Sequence, residues 1–173
     1  MKAIFSRLLA LCALGFANCS TLALMQADPE PVLVSQFSGK PVPRFESLRY
    51  SAVHGRQGPS LDHPILWRYE RAGLPMLIIR ETHGWRRVRD KDGDEVWVQA
   101  RMLSSNQKAV ITQDIILYKK PDEGSTARAQ LKAGLIVDLD SCEALWCRVK
   151  AGRQAGWVQK IGLWGVETST GGL

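Results

Sequence analysis

The sequence predicts an all-β protein in which two small β-barrels lie in tandem, each with a short closing helical turn, behind a cleaved signal peptide. The first observation is an internal repeat, since Ala72-Gly73-Leu74 recurs as Ala133-Gly134-Leu135, 61 residues later. Trp97-Val98-Gln99 recurs in the same way as Trp157-Val158-Gln159, 60 residues later. A fixed period of this length indicates two copies of one structural unit.

The second observation is that apolar residues occur in short runs bounded by Gly, Asp and Pro, as in Ile78-Ile79, Val96-Trp97-Val98 and Ile136-Val137. Such runs are typical of strands. Helical spacing is confined to residues 99–104 and 159–163, where we predict single closing turns. About 60 residues of short strands in each copy are enough for a small barrel. We place the first copy at 44–104 and the second at 108–166.

The third observation is the amino-terminal leader, in which Lys2 and Arg7 precede an apolar run over residues 8–17. This pattern is typical of a signal peptide, predicted over 1–23 with cleavage as late as 27. A lipoprotein would use Cys19, although Asn18 stands where a small residue is usual. We expect no transmembrane segment after processing and a periplasmic or secreted protein. A proline-rich extended linker is expected over 28–43, and a disordered tail over 167–173.

Composition is that of an ordinary globular protein, with 45% hydrophobic and 23% charged residues. The net charge is +6, and removal of Lys2 and Arg7 with the leader lowers it to +4. Because acidic and basic residues alternate along the chain, a mixed solvated surface is expected, and nucleic acid is not an expected partner.

Two cysteines remain after the leader, Cys142 and Cys147, and in an oxidising compartment they predict one disulfide. Free thiols or half of a metal site are the alternatives. A hairpin turning through residues 143–146 would place the two sulfurs opposite each other. The matching positions in the first copy are Glu81 and Arg86, for which we predict an exposed cross-strand ion pair.

The tryptophans have two interpretations. Trp97 and Trp157 lie next to valine or glycine in clean alternation, so we predict that they are the deeper, core tryptophans, with ligand stacking as the alternative. Trp85 and Val88 are three residues apart, so a bulge brings both into the core or Trp85 covers the rim.

Several stretches carry a family resemblance. Three stretches resemble the bacterial SH3-like domain: residues 51–60 (SAVHGRQGPS), 84–88 (GWRRV) and 96–98 (VWV). Residues 39–45 (GKPVPRF), 142–147 and 156–166 are similar in particular to exported two-copy proteins of Gram-negative bacteria. The resemblance implies two SH3-like barrels and points to cell-wall peptides as ligands. The chain departs from the pattern at Val96, where a glycine is usual, and the second copy lacks the Arg-x-Gly-Pro-Ser stretch.

An enzyme is not expected. Ser60, Asp62 and His63 are neighbours in sequence and do not form a catalytic relay without unusual geometry. His54 and His83 have no partners at metal-ligand spacing, so we expect no metal and no cofactor.

The expected function is binding. Arg56, Trp67, Tyr69 and Arg80 are the predicted ligand-binding residues, because arginines beside aromatic rings suit a peptide or glycan that carries carboxylates. The expected partner is peptidoglycan or an envelope protein, bound through the first barrel. The alternative is a structural or assembly factor, or a regulatory subunit of a cell-wall hydrolase, with no small ligand.

Overall fold

The computed structural model describes residues 33–167, and nearly all of its regular structure is β-strand. Two single 3₁₀ turns, Ala100–Met102 and Lys160–Gly162, are its helical elements. The all-β prediction and both closing turns are therefore confirmed. The predicted signal peptide, residues 28–32 of the linker and the tail beyond Glu167 lie outside the described residues. Within 33–167 no helix is long and apolar enough to cross a membrane.

The first barrel is a seven-stranded antiparallel sheet. Its strands are β3 (Arg44–Leu48), β4 (Val53–Arg56), β5 (Ile65–Tyr69), β6 (Pro75–Thr82), β7 (Trp85–Arg89), β8 (Glu95–Gln99) and β9 (Leu103–Ser104), preceded in the chain by β1 (Leu33–Val34) and β2 (Pro41–Val42). The spatial order is β5-β4-β8-β7-β6-β3-β9.

The second barrel repeats this arrangement. Its strands are β10 (Lys108–Ile111), β11 (Ile115–Tyr118), β12 (Ala127–Leu131), β13 (Ile136–Glu143), β14 (Trp146–Ala151), β15 (Gln154–Gln159) and β16 (Leu163–Trp164). The order β12-β11-β15-β14-β13-β10-β16 matches the first barrel strand for strand. The sequence repeat is therefore a repeat of the whole topology.

The repeated Ala-Gly marks the same turn in both barrels. Gly73 and Gly134 each have φ of +82°, a left-handed conformation that glycine adopts without strain. Each glycine N–H donates to a carbonyl of the first strand of its barrel, that of Leu48 or Ile111, at 2.7 Å. The glycine is therefore required by the backbone of the turn.

The two cores consist mainly of valine, leucine and isoleucine, and no tryptophan of residues 33–167 is among their buried residues. Val96 and Val98 are 4% and 0% exposed, and Val158 is 0% exposed. Because successive side chains of a strand point to opposite faces, Trp97 and Trp157 lie on the outer faces, where they are half-buried. The prediction that these two are core tryptophans is therefore wrong.

The expected linker is also wrong over its described part, because β1 and β2 pair as a short antiparallel hairpin. Val42 is buried, and the hydroxyl of Ser35 donates to Glu81 of the first barrel. Prolines are compatible with edge strands, which explains how a segment rich in proline still pairs. Residues 33–42 are thus attached to the first barrel.

Glu81 forms the predicted ion pair with Arg86, at 3.0 Å between Oε1 and Nε. The expected exposure is wrong, since the Glu81 side chain is only 1% exposed. Arg44 Nη2 also lies 2.5 Å from Glu81 Oε1, because β3, which carries Arg44, pairs with β6, which carries Glu81. One buried carboxylate therefore joins three segments of the first barrel.

The disulfide between Cys142 and Cys147 is confirmed, and the two residues lie directly opposite each other on β13 and β14. The matched positions thus hold a covalent bond in one barrel and a buried ion pair in the other.

The two barrels contact each other through β3, β6 and β16. The rings of Phe45 and Trp164 meet edge to face at 5.2 Å between centroids. Trp164 Nε1 donates to the carbonyl of Pro75 at 3.1 Å, and Arg71 donates to the carbonyl of Gly134 at 3.0 Å. Apolar packing and hydrogen bonds therefore both connect the barrels.

Candidate ligand-binding surface

A row of four side chains crosses the outer face of the first barrel on adjacent strands. Arg56 of β4 lies opposite Trp97 of β8, Trp97 lies opposite Arg87 of β7, and Arg87 lies opposite Arg80 of β6. Directly opposed residues share a face of the sheet, so these four form one continuous strip. We call it the arginine row.

Strand alternation and one bulge build the row. Val88 and Ile78, opposite each other on β7 and β6, are both 0% exposed and point into the core. The next pair along is Arg87 with Arg80, because the register shifts past Ile79. The extra residue of a bulge reorients the next part of its strand, and here it aligns a second arginine with the first.

Arg56 holds the loop between β4 and β5. Its Nη1 donates to the carbonyl of Leu61 at 2.9 Å and to that of His63 at 2.7 Å. Since a guanidinium in two backbone hydrogen bonds has fewer donors left for a ligand, Arg56 acts first as a positioning residue. The predicted ligand contact of Arg56 stays a prediction, and its observed contacts are with the backbone of this loop.

Arg80 and Arg87 are the more available cations. Arg87 pairs with Glu95 at 2.9 Å and is still 42% exposed. Arg80 is exposed and has no ion pair or side-chain hydrogen bond to any residue of the described range 33–167. Glu95 also pairs with Arg89 at 2.7 Å, so one carboxylate serves two arginines and the surface keeps an excess of positive charge. Such a surface attracts anionic ligands.

The structure separates the predicted site residues into two places. Trp67, 49% exposed, and the buried Tyr69 both line a groove of about 330 Å³ between the barrels, together with Leu74, Pro75 and Trp164. Arg56 and Arg80 do not line this groove. The four predicted residues therefore do not form one site.

Tyr69 is a core residue and not an exposed aromatic floor. It is 6% exposed, and its hydroxyl donates to Asp90 Oδ2 at 3.1 Å. Burial, followed by the charge of Asp90 and this hydrogen bond, raises the pKa of Tyr69 far above its ordinary value. The phenol thus stays protonated and anchors the turn that holds Asp90.

The second barrel carries a different row at the matching positions. Tyr118, Trp157, Arg148 and Ser141 stand where the first barrel has Arg56, Trp97, Arg87 and Arg80. Its single arginine lies 3.3 Å from Asp140. The two copies therefore present one positive and one nearly neutral surface on the same scaffold.

Sequence reasoning did not single out Arg87, and it gave a ligand-stacking role for Trp97 only as the alternative to a core position. The valine alternation around Trp97 is a signal that could have placed its ring outside the core. No local pattern marks Arg87 as a site residue, because its neighbours Arg80 and Trp97 come from two other strands and are set by the strand register.

The residues that resemble a catalytic triad make local contacts. Ser60 Oγ donates to Asp62 Oδ2 at 3.3 Å within one turn, and the His63 ring lies against Gly58. Over residues 33–167, no three His, Cys, Asp or Glu side chains cluster in a way that could hold a metal ion.

A family model for the bacterial SH3 domain matches the chain twice, at residues 50–105 and 113–165. The chain belongs to the bacterial SH3 domain family. The two matches fall on the two barrels, so the resemblance to the bacterial SH3-like domain in two tandem copies is confirmed. No curated protein sequence matches it.

Two solved structures are similar to the bacterial SH3 pair at low identity. NlpC2 from Trichomonas vaginalis is 13% identical, with a TM-score of 0.34, over 73% of this chain and 51% of that chain. NlpC1 from Trichomonas vaginalis is 14% identical, with a TM-score of 0.34, over 76% of this chain and 48% of that chain. The chain spans about half the length of each.

Proposed function

We propose that this tandem bacterial SH3 protein is an exported, non-enzymatic binding protein whose first barrel binds peptidoglycan stem peptides along the arginine row. The observation that carries the proposal is the alignment of Arg56, Trp97, Arg87 and Arg80 on four adjacent strands. A family of binding domains and a surface specific to one copy both support a recognition role.

The chemistry of the row suits a peptide that carries carboxylates. The planar guanidinium groups of Arg80 and Arg87 match a carboxylate in two-point hydrogen bonding. The half-buried Trp97, which lies beside Arg87 on the side away from Arg80, offers an apolar platform for the aliphatic part of the ligand. A stem peptide carries both carboxylates and short aliphatic side chains, which suits two neighbouring arginines beside an aromatic ring.

The length of the row also agrees with a short peptide. Strands lie about 4.8 Å apart, so four adjacent strands span roughly 14 Å. An extended peptide covers at most about 3.5 Å per residue, so roughly four residues fit across the row. Since the cations are exposed, we expect binding to weaken with added salt.

The test is co-sedimentation of the protein with purified sacculi at low salt, comparing wild type with Arg80→Ser and Trp97→Ala. Arg80→Ser places the residue of the second copy, Ser141, at the matched position. We expect the apparent affinity to fall about tenfold or more, because a hydrogen bond to a charged group contributes about 1.5–3 kcal/mol.

The matched control is Arg148→Ser in the second barrel, which removes a cation that is already paired with Asp140. It should bind sacculi as the wild type does. Failure of the wild type to pellet, or equal losses in both arginine variants, would count against recognition by the arginine row.

A structural role is the second candidate, and the contact between the barrels favours it. The packing of Phe45 on Trp164 and the hydrogen bond from Trp164 to Pro75 suit an assembly factor, or a regulatory subunit of a cell-wall hydrolase, that works as one unit. Such a protein would stay in the supernatant when the sacculi are pelleted, and it would bind an envelope protein instead. Phe45→Ala would then weaken that binding, while Arg80→Ser would leave it unchanged.

A further inference from the structure

The second barrel exposes an apolar surface at its disulfide-closed hairpin. Leu145 is 76% exposed and Ile161 is 82% exposed, and the half-buried Trp146 lies in the same groove, which has a volume of about 570 Å³. Pro121 and Glu123 also line the groove. We call this surface, formed by Leu145, Trp146, Ile161, Pro121 and Glu123, the hairpin patch.

The fold holds the hairpin patch rigidly. The disulfide joins Cys142 to Cys147 on the two sides of the hairpin tip. The carbonyl of Leu145 accepts a hydrogen bond from Lys160 N at 2.8 Å, and the ring of Trp146 meets Tyr118 edge to face at 5.7 Å. An apolar group that is already ordered loses little entropy when a partner covers it.

The tip also stores backbone strain. Ala144 has φ of +43°, and it is the one residue other than glycine with positive φ in the described range 33–167. A left-handed conformation is unfavourable for a residue with a Cβ. Leu145 follows Ala144 directly at the exposed tip of the hairpin.

The first barrel does not need these side chains to form the same fold. At the matched positions it has Gly84 for Leu145 and Arg101 for Ile161. Both barrels nevertheless share one strand order. The exposed apolar residues of the hairpin patch are therefore specific to the second copy and are not a requirement of folding.

The charge beside the patch differs from that of the whole protein. Asp122 and Glu123 stand together after Pro121 on one wall, in a chain whose net charge is +6. Within residues 33–167 neither carboxylate makes an ion pair, although Glu123 accepts a hydrogen bond from Gln159. Lys160 also lines the groove, so its lining carries two negative charges and one positive charge.

We propose that the hairpin patch is a docking site for a short peptide segment that carries an aliphatic side chain beside a lysine or arginine. The aliphatic group packs on Leu145, Trp146 and Ile161, and the cation faces Asp122 and Glu123. This ligand is opposite in charge to the one proposed for the arginine row, and the site lies on the other barrel. The two proposals therefore stand on separate observations.

The test is selection of random dodecapeptides displayed on phage against the oxidised protein, followed by titration with the selected synthetic peptides. We expect enrichment of an aliphatic residue next to Lys or Arg. Affinity should fall at least tenfold in the double variant Leu145→Gly, Ile161→Arg, which installs the residues of the first barrel.

Two further variants keep the result interpretable. Leu145→Ser changes an exposed side chain alone and should reduce affinity severalfold without affecting the fold, measured by circular dichroism. Glu123→Gln keeps an acceptor for Gln159 while it removes the charge, and should reduce affinity for the basic peptides but not for versions with the cation replaced by alanine. Sacculus binding should be unchanged in all three variants.

The proposal is overturned if no peptide is enriched, if the enriched peptides are acidic, or if the double variant binds the same peptides as tightly as the wild type. Loss of sacculus binding by Arg80→Ser, with peptide binding intact, would show that the two surfaces act separately.

Discussion

Gly55 lies directly against Val96 in the core of the first barrel. A Cβ placed on Gly55 would approach Val96 Cγ2 to 2.5 Å, so no larger residue fits beside this valine. In the second barrel the sizes are exchanged, because Leu117 stands at the position of Gly55 and Gly156 at that of Val96. A Cβ on Gly156 would come within 2.8 Å of Leu117 Cγ and 2.5 Å of the Tyr118 carbonyl oxygen. The two barrels thus fill the same space from opposite strands.

We predict that single substitutions at this pair destabilise the first barrel and that the exchange restores part of the loss. Gly55→Leu should cost at least about 1–3 kcal/mol through overpacking, and Val96→Gly a similar amount through the cavity that it leaves. The double variant Gly55→Leu, Val96→Gly should lose less free energy of unfolding than the two single variants lose together, by about 1 kcal/mol or more. Chemical denaturation measures these free energies.

The matched exchange in the second barrel, Leu117→Gly with Gly156→Val, is the control for this prediction. It should also be better than additive, but less so, because the Tyr118 carbonyl is backbone and moves less than a side chain. If the stability losses of the single variants simply added in both barrels, the proposed exchange of side-chain size between the two strands would be wrong.

We predict that removal of the negative charge of Glu81 strongly lowers the stability of the protein. Its side chain is 1% exposed and contacts both Arg44 and Arg86. Glu81→Gln should lower the free energy of unfolding by about 3 kcal/mol at pH 7, because removal of one partner leaves buried charge uncompensated. The exposed pair of Arg68 with Glu70, at 3.5 Å, provides the control, since Glu70→Gln should change stability by less than about 1 kcal/mol.

The same carboxylate predicts a pH dependence. Burial by itself raises the pKa of Glu81, but hydrogen bonds from two serines and from Arg44, together with the charge of this arginine, outweigh burial and lower the pKa. A lowered folded-state pKa stabilises the protein above the ordinary pKa of 4.5, and this stability is lost as the pH falls through the folded-state value. Denaturation at pH 3–7 should therefore show a steeper loss below about pH 4.5 for wild type than for Glu81→Gln. Parallel curves would exclude this origin.

We predict that removal of the disulfide between Cys142 and Cys147 loosens the second barrel and leaves the first unchanged. Replacement of Cys142 and Cys147 by serine should lower stability by about 2 kcal/mol in the chain-entropy model, since the closed loop is short. Hydrogen exchange should accelerate at the tip of β13 and β14 and not at the equivalent tip of β6 and β7. Because the hairpin carries Leu145, peptide binding at the hairpin patch should weaken in the same variant. Equal acceleration in both barrels would contradict a local role.

Local pattern was sufficient to predict the duplicated all-β fold, the closing turns and the disulfide. Each depends on information close in sequence, such as the conformational requirement of Gly73 and Gly134 or the six-residue span from Cys142 to Cys147. The predicted binding site was less accurate, because Tyr69 proved to be buried and Trp67 lies apart from Arg80. In β5 the residues from Ile65 to Arg68 are all exposed and Tyr69 is buried, so alternation along this strand does not reveal which side chain points inward.

The sequence by itself determined that the chain is two copies of one β unit. The backbone requirements of the turns and the alternation within the strands are local features, and both occur in each copy of the sequence. Only the tertiary structure decided how the copies differ in use. The bulge at Ile79 aligns Arg80 with Arg87, and strand pairing places Trp97 between Arg87 and Arg56. These neighbours come from three or four separate strands, and their register is set by long-range hydrogen bonding and core packing.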